Sequence, residues 1–151
     1  MASKWIDERD IAFLLHEVFQ IGSELLGKGP FADHDADMVN MVLTEAAKLA
    51  ENEIAPTYPD EVHKKPVEAE FRDGKVFVPE AYHRLWQLYS EGGWICTSDE
   101  YEYGGQQLPA VVSAACAHMF LSCNQAFVMY PGLAHGAARL LIDFFEHPLK
   151  N

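Results

Sequence analysis

The chain has 151 residues, of which 49% are hydrophobic and 23% are charged, a composition typical of a folded domain rather than a disordered segment. Its formal net charge of −12 argues against binding to nucleic acid or an anionic membrane surface, because clustered lysine and arginine bind both. Its three cysteines include no Cys-x-x-Cys pair, which excludes a disulfide framework and a zinc knuckle and fits a reducing cytoplasm.

The first 35 residues are predicted to form an N-terminal extension that contains one helix. Asp10 is its candidate N-cap, and Gly27 with Gly29 would end it. Its apolar side chains recur at helical spacing: Ile11, Leu14, Leu15 and Val18.

An acidic connector at residues 31–37 leads into a second predicted helix over residues 36–54. The connector lacks the glycine and the distal glutamate of a calcium loop, and it has no His-x-x-x-His pair for zinc. It therefore predicts a solvated segment that caps the next helix, with no metal site. Pro56 should stop that helix, because proline disfavours helical geometry in the residue before it.

The middle of the chain predicts a loop, a hairpin and a third helix. Residues 57–67 are polar and contain two prolines, which indicates a loop. Asp73-Gly74 between short extended runs is typical of a two-residue β-hairpin turn. Pro79 suits the first turn of a helix that ends at Gly92-Gly93. The apolar residues of this helix are Tyr82, Leu85, Trp86 and Tyr89.

Two further helices are predicted after a glycine-containing loop at residues 94–109. The first covers residues 109–122, and Asn124 is a plausible cap for the second, residues 125–145, which Pro131 and Gly132 should kink. No apolar run reaches the roughly 18 residues of a membrane helix without a charge or proline. The whole pattern predicts a mainly α fold, a bundle of four to five helices with one small β-hairpin.

The residues alone indicate no reaction. The chain contains no Gly-x-Ser-x-Gly nucleophile elbow and no glycine-rich phosphate loop. His118 and His135 lie in apolar helices, where each is expected to be a core residue with one satisfied hydrogen bond. Cys116 and Cys123 lie seven residues apart and are expected to share a buried helix face. The paired glycines are explained by turn formation.

Three segments taken together resemble the acyl-CoA dehydrogenase family. They are residues 91–95 (EGGWI), 102–109 (EYGGQQLP) and 130–137 (YPGLAHGA). Residues 15–19 (LHEVF) and 45–50 (EAAKLA), with the hairpin, resemble a subgroup that has an extended N-terminus and includes 3-methylmercaptopropionyl-CoA dehydrogenases. The resemblance extends from about residue 11 to residue 145.

The resemblance implies a subunit of three parts: N-terminal helices, a middle β-domain and a C-terminal four-helix bundle. FAD lies mainly between the last two parts, a glutamate removes the substrate α-proton, and hydride passes to the flavin. Electron-transfer flavoprotein is the partner that the family implies. By this resemblance residues 1–35 are the extension and residues 36–151 are the N-terminal helical domain, while the other two domains are absent. No catalytic, cofactor or metal residue is therefore assigned, and this chain alone is expected to be inactive and free of FAD.

The resemblance also implies a substrate role for the last helix, which forms a wall of the acyl pocket in the family. By position the pocket residues are Phe127, Val128, Tyr130 and Pro131, and the alternative is that they are only core. Two aromatic rings would make a short or narrow pocket. An exposed apolar wall implies a homo-oligomer, and no membrane insertion is expected. The rival function is a non-catalytic helical assembly module.

Overall fold

The computed structural model describes residues 5–58 and 69–146, with side chains through Phe144. It is mainly α-helical with one antiparallel hairpin, so the predicted fold class is confirmed. The helices are α1 (Glu8–Phe13), α2 (Ile21–Glu24), α3 (Ala36–Leu49), α4 (Glu80–Glu91) and α5 (Ala110–Glu146), and the strands are β1 (Glu70–Arg72) and β2 (Lys75–Phe77). Short π-helical turns cover Leu14–Val18 and Ala50–Ile54, and 3₁₀ turns cover Gly29–Phe31, Ala55–Thr57 and Tyr101–Tyr103.

The first predicted helix is broken, and its predicted cap was wrong. Asp7 caps α1, since its Oδ1 accepts from the backbone N of Arg9 and of Asp10 at 3.1 Å each. Gln20 adopts a left-handed φ of 48°, which separates the π turn from α2 well before Gly27. Of the four predicted apolar positions, Ile11 and Leu15 are buried, whereas Leu14 and Val18 are exposed.

Helix α3 was predicted correctly and supplies one side of the core. Asp35 caps it by accepting from the backbone N of Met38 at 2.7 Å. Its apolar stripe continues through the π turn and packs against α5. The buried members are Val39, Leu43, Ala46, Ala47, Ala50 and Ile54. Pro56 lies in the 3₁₀ turn that follows, so the helical path ends where the sequence predicted.

The connector before α3 is not the fully solvated segment that was predicted. His34 is buried. Its Nε2 lies 3.1 Å from the backbone O of Gln106, and its ring stacks on that of Tyr101 with centroids 6.3 Å apart. Asp33 and Asp35 remain exposed on either side of it. A histidine that finds a carbonyl partner 72 residues away cannot be recognised from its acidic neighbours.

The hairpin and α4 follow the prediction. β1 and β2 pair with Glu70 opposite Phe77, and Asp73 and Gly74 have φ of 53° and 75°, as a tight primed turn requires. Most of the loop predicted at residues 57–67 lies outside the described residues. In α4 the side chains of Tyr82, Leu85 and Tyr89 are buried, whereas Trp86 is partly exposed.

Helix α5 consists of two helices that meet at Asn124. This residue has non-helical φ and ψ of −158° and 89°, and its Oδ1 accepts from the backbone N of Phe127 at 3.1 Å. The predicted cap is thus confirmed. The helix is not interrupted at Pro131 and Gly132, because Asn124 is the one residue in α5 with non-helical φ and ψ. A bend of the helix axis at Pro131 stays a prediction, since proline removes one helical N–H although its own φ is helical.

By length and composition alone, one helix in the described part of the chain could cross a membrane. An 18-residue window within 110–144 has a mean hydropathy of 1.4. However, 44% of that window is buried within the fold, and the backbone breaks at Asn124. The core helix of a folded domain has the same features, so the absence of membrane insertion stays a prediction.

Candidate functional site

A shallow apolar cavity of about 190 Å³ lies between α4 and the second half of α5. Phe127 and Tyr130 of α5 contribute aromatic rings to it, and both rings pack edge-on against Tyr82, at 5.4 and 5.9 Å between centroids. The remaining lining side chains are Val78, His83 and Trp86. Apart from the imidazole of His83, this surface offers no ionisable group outside its tyrosines, so it suits an apolar guest rather than phosphate.

A buried hydrogen-bond network fixes the start of the cavity-lining helix. Asn124 donates from Nδ2 to Thr57 Oγ1 at 2.8 Å and accepts at Oδ1 from the backbone N of Phe127. Thr57 in turn donates to the backbone O of Ile54 at 2.6 Å. The hydroxyl of Tyr82 also lies 3.3 Å from Asn124 Nδ2. One amide therefore joins the 3₁₀ turn Ala55–Thr57, α4 and α5, and it holds the backbone at Phe127.

The structure brings together only two of the four predicted pocket residues. Phe127 and Tyr130 line the cavity, with Tyr130 39% exposed. Val128 and Pro131 are buried but do not line it. The i, i+3 spacing places Phe127 and Tyr130 on one helix face. The proposed role of all four in an acyl pocket stays a prediction.

The glycine loop of residues 103–107 forms a tight turn, as its paired glycines predicted. Gly104 has φ of 79°, and a Cβ on Gly105 would lie 2.1 Å from the backbone O of Asp99, so only glycine fits there. Gln106 donates from Nε2 to the backbone O of Gly93 at 3.0 Å. The two glycine motifs that the sequence singled out therefore contact each other through this glutamine.

A charged cluster that the sequence did not predict ties this loop to the second half of α5. The carboxylate of Asp99 is largely buried, and its Oδ2 lies 2.7 Å from His135 Nε2. Arg139, one turn further along, lies 2.9 Å from Glu100 and 3.7 Å from Asp99. A backbone hydrogen bond at Glu100, and after it the hydrogen bond from Arg139, lowers the pKa of the Glu100 carboxyl. The sequence signal that could have indicated this cluster is the pair His135 and Arg139, which lie four residues apart on one face of an apolar helix.

His135 has the predicted hydrogen bond but is half-buried rather than a core residue, and the core prediction for His118 was wrong. His118 is exposed on the surface of α5. Cys116 and Cys123 are both buried, and burial raises their pKa to about 12 and about 11. Both thiols therefore stay protonated and act as small core residues. Within residues 5–58 and 69–146, no three histidine, cysteine or carboxylate side chains lie close enough together to hold a metal ion.

Comparison with known proteins supports the family resemblance. A broad-specificity linear acyl-CoA dehydrogenase of Mycobacterium tuberculosis is 32% identical over 133 residues, which is 88% of this chain and 21% of the relative. A 3-methylmercaptopropionyl-CoA dehydrogenase of Ruegeria pomeroyi is 28% identical over 131 residues, 85% of this chain and again 21% of the relative. No family model matches the chain. The chain spans about one fifth of the length of these curated relatives, and the predicted resemblance to acyl-CoA dehydrogenases is confirmed.

Proposed function

Because the chain is similar to acyl-CoA dehydrogenases over most of its length, we propose that it is the N-terminal helical domain of a FAD-dependent acyl-CoA dehydrogenase. The full-length enzyme would oxidise the bond between the α- and β-carbons of an acyl-CoA thioester. The observation that carries this proposal is the 32% identity over 88% of the chain. Within that enzyme Phe127 and Tyr130 would form part of the acyl pocket, while Val128 and Pro131 would support it from the core.

The cavity residues suit an acyl chain but not the cofactor. FAD carries a pyrophosphate, which needs cationic side chains or a cradle of backbone N–H groups. The cavity offers aromatic and aliphatic side chains and, as a possible cation, only His83. The residues that line this cavity therefore do not fit as the FAD site, and no flavin contact is assigned to them. The isolated chain is proposed to be inactive and colourless.

The proposed substrate range follows from the size of the cavity. Its volume of about 190 Å³ is below the roughly 300–1,000 Å³ of a complete small-molecule pocket. It therefore fits one wall of a pocket, or the end of a short acyl chain. Tyr130 lines the cavity and is 39% exposed. Its ring packs edge-on against the ring of Tyr82, whose hydroxyl lies 3.3 Å from Asn124 Nδ2. A wall made of rigid rings favours short and medium acyl groups.

The test is to express the full-length reading frame and to record its flavin absorbance. Bleaching by butanoyl-CoA or octanoyl-CoA is expected, and a protein without flavin would overturn the proposal. Tyr130→Ala should raise the ratio of kcat/KM for dodecanoyl-CoA over butanoyl-CoA by about tenfold, the effect of relieving one steric contact. Met129→Ala is the matched control, because Met129 is exposed and does not line the cavity.

We also propose that the protein forms a homo-oligomer through the second half of α5. Leu133 and Phe144 there are 69% and 64% exposed, and apolar patches of this kind tend to associate. The pair of substitutions Leu133→Ser and Leu140→Ser should lower the mass measured by light scattering to that of a monomer. A wild-type chain that stays monomeric at high concentration would contradict this. Cytoplasmic location and electron transfer to electron-transfer flavoprotein are proposed from the family alone.

The alternative is a helical assembly module that pairs subunits without turnover. The same exposed helix surface favours it, because association needs no reaction centre. The two functions are separated by the native reading frame: continuation into a β-domain and a C-terminal bundle with a glutamate supports the dehydrogenase. If the full-length product bound no flavin yet still associated through α5, the assembly module would be the better description.

A further inference from the structure

A second apolar depression, which we call the N-terminal groove, lies between the N-terminal helical segment and the first half of α5. Its volume is about 400 Å³, twice that of the cavity beside Tyr130. The α5 side consists of Val111, Ala115 and His118, which recur at helical spacing. The facing side is one stripe of the N-terminal segment: Asp7, Asp10, Ile11, Leu14, Leu15 and Phe19.

The groove has a buried floor and exposed apolar edges. Ile11 and Leu15 are buried in the core, while Leu14 and Phe19 are 45% and 51% exposed. Phe13 and Val18 on the same segment are exposed to a similar extent. Four large apolar side chains within seven residues thus face solvent, which is the signature of an interaction surface rather than of scattered exposure.

Charge indicates what kind of partner would bind. Asp7 and Asp10 line the end of the groove, and the exposed carboxylates of Glu8 and Glu17 lie on the same segment, which has Arg9 as its one arginine. With a chain net charge of −12, this surface repels anions such as the phosphates of CoA. It therefore complements a cationic partner and is distinct from the proposed acyl site.

We propose that the N-terminal groove binds a basic amphipathic α-helix of a protein partner. The helical path from Asp7 to Phe19 is roughly 18 Å long at about 1.5 Å per residue, which matches about three turns of a bound helix. Apolar side chains of the partner would pack on Leu14 and Phe19, and its lysine or arginine would approach Asp7 and Asp10. This is the helix-in-groove mode of recognition. It does not depend on the proposed dehydrogenase function.

The test uses the 151-residue chain and a fluorescein-labelled peptide of leucine and lysine in a helical amphipathic pattern, measured by fluorescence anisotropy. The double variant Leu14→Gln, Phe19→Gln should weaken binding by about tenfold or more, because both side chains are apolar anchors. Met129→Gln is the matched control, because Met129 is 46% exposed, close to the exposure of Leu14 and Phe19, and does not line the groove, so it should leave binding unchanged. Circular dichroism of each variant verifies that the fold is intact.

A second, independent test changes the charges of the groove and of the peptide. Asp10→Asn should weaken binding by about two- to fivefold and flatten its dependence on salt. The same peptide with glutamate in place of lysine should not bind. The proposal is overturned if that peptide binds equally well, or if Met129→Gln reduces binding as much as the groove variant. It is also overturned if the groove variant changes a dimer into a monomer in sedimentation, since the groove would then be a contact between copies.

Discussion

The two halves of α5 are both rich in apolar residues but have opposite surroundings. Residues 110–123 place Val112, Cys116, Met119, Phe120 and Cys123 in the core. Residues 125–144 bury Phe127, Val128 and Pro131 in their first two turns. Beyond them Ile142 is half-buried and the other large apolar side chains are exposed. The exposed ones are Leu133, Leu140, Leu141 and Phe144.

Apolar periodicity thus indicates which residues need a partner, but not whether this chain supplies it. Helix α5 packs against α3, and Phe120 in its first half packs against Tyr89 of α4. The outer second half is held to the fold by polar contacts, His135 with Asp99 and Arg139 with Glu100. Stability should therefore reside in the first half and association in the second.

The largest expected effect is in the buried half. Phe120→Ala should lower the free energy of unfolding by about 3–5 kcal/mol, because it leaves a cavity beneath Tyr89 and Trp94, whose rings lie 5.2 Å away. Leu140→Ala, on the exposed half, should change it by less than about 0.5 kcal/mol. Urea denaturation measures both. Equal losses would show that the two halves do not differ as described.

The junction between the halves should give the next largest effect. Asn124→Ala removes the cap of the second half and the hydrogen bond that Asn124 donates to Thr57 Oγ1, so the expected loss is about 1–3 kcal/mol. Asn124→Ser keeps a capping oxygen for Phe127 N and should recover part of that loss. Urea midpoints of the two variants test this. If serine were no better than alanine, capping would not be what Asn124 contributes.

The charged cluster tests what holds the second half in place. His135→Ala removes the closest partner of the buried Asp99 carboxylate and should cost about 1–2 kcal/mol. Hydrogen exchange should become faster in residues 133–144 and stay unchanged in residues 110–123. Faster hydrogen exchange through the whole of α5 would instead mean that the charged cluster also supports the buried first half.

The smallest effect near neutral pH comes from the thiols of the buried half. Burial raises the pKa of Cys116 from its ordinary 9.0 to about 12, so the fold favours the protonated thiol. Its contribution to stability is complete below pH 9 and is lost as the pH rises toward 12. Cys116→Ala should therefore flatten the decline of the urea midpoint between pH 9 and 11. An unchanged decline would contradict the assignment.

Much of the fold could be predicted because its signals are local. The stripe of α3, the Asp73-Gly74 turn and the Asn124 cap each depend on residues within a few positions of one another. Two local predictions failed in the first helix, where Asp7 rather than Asp10 is the cap and Gln20 breaks the helical path. The other failures concern contacts between distant segments. His34 was placed in solvent because its carbonyl partner, at Gln106, is far along the chain, and the Asp99–His135 pair spans the loop and α5 in the same way.

The candidate site likewise has features that follow from local sequence and features that depend on distant contacts. The family resemblance pointed by position to Phe127, Val128, Tyr130 and Pro131, and the i, i+3 spacing puts Phe127 and Tyr130 on one helix face. The packing of the fold shows that Val128 and Pro131 are buried in the core, and that Tyr82 and Trp86 complete the cavity. Most helices, the Asn124 cap and the hairpin turn could be predicted from the sequence, because they depend on short-range geometry. Burial and pairing depend on which surfaces meet, and that was decided by packing between distant segments.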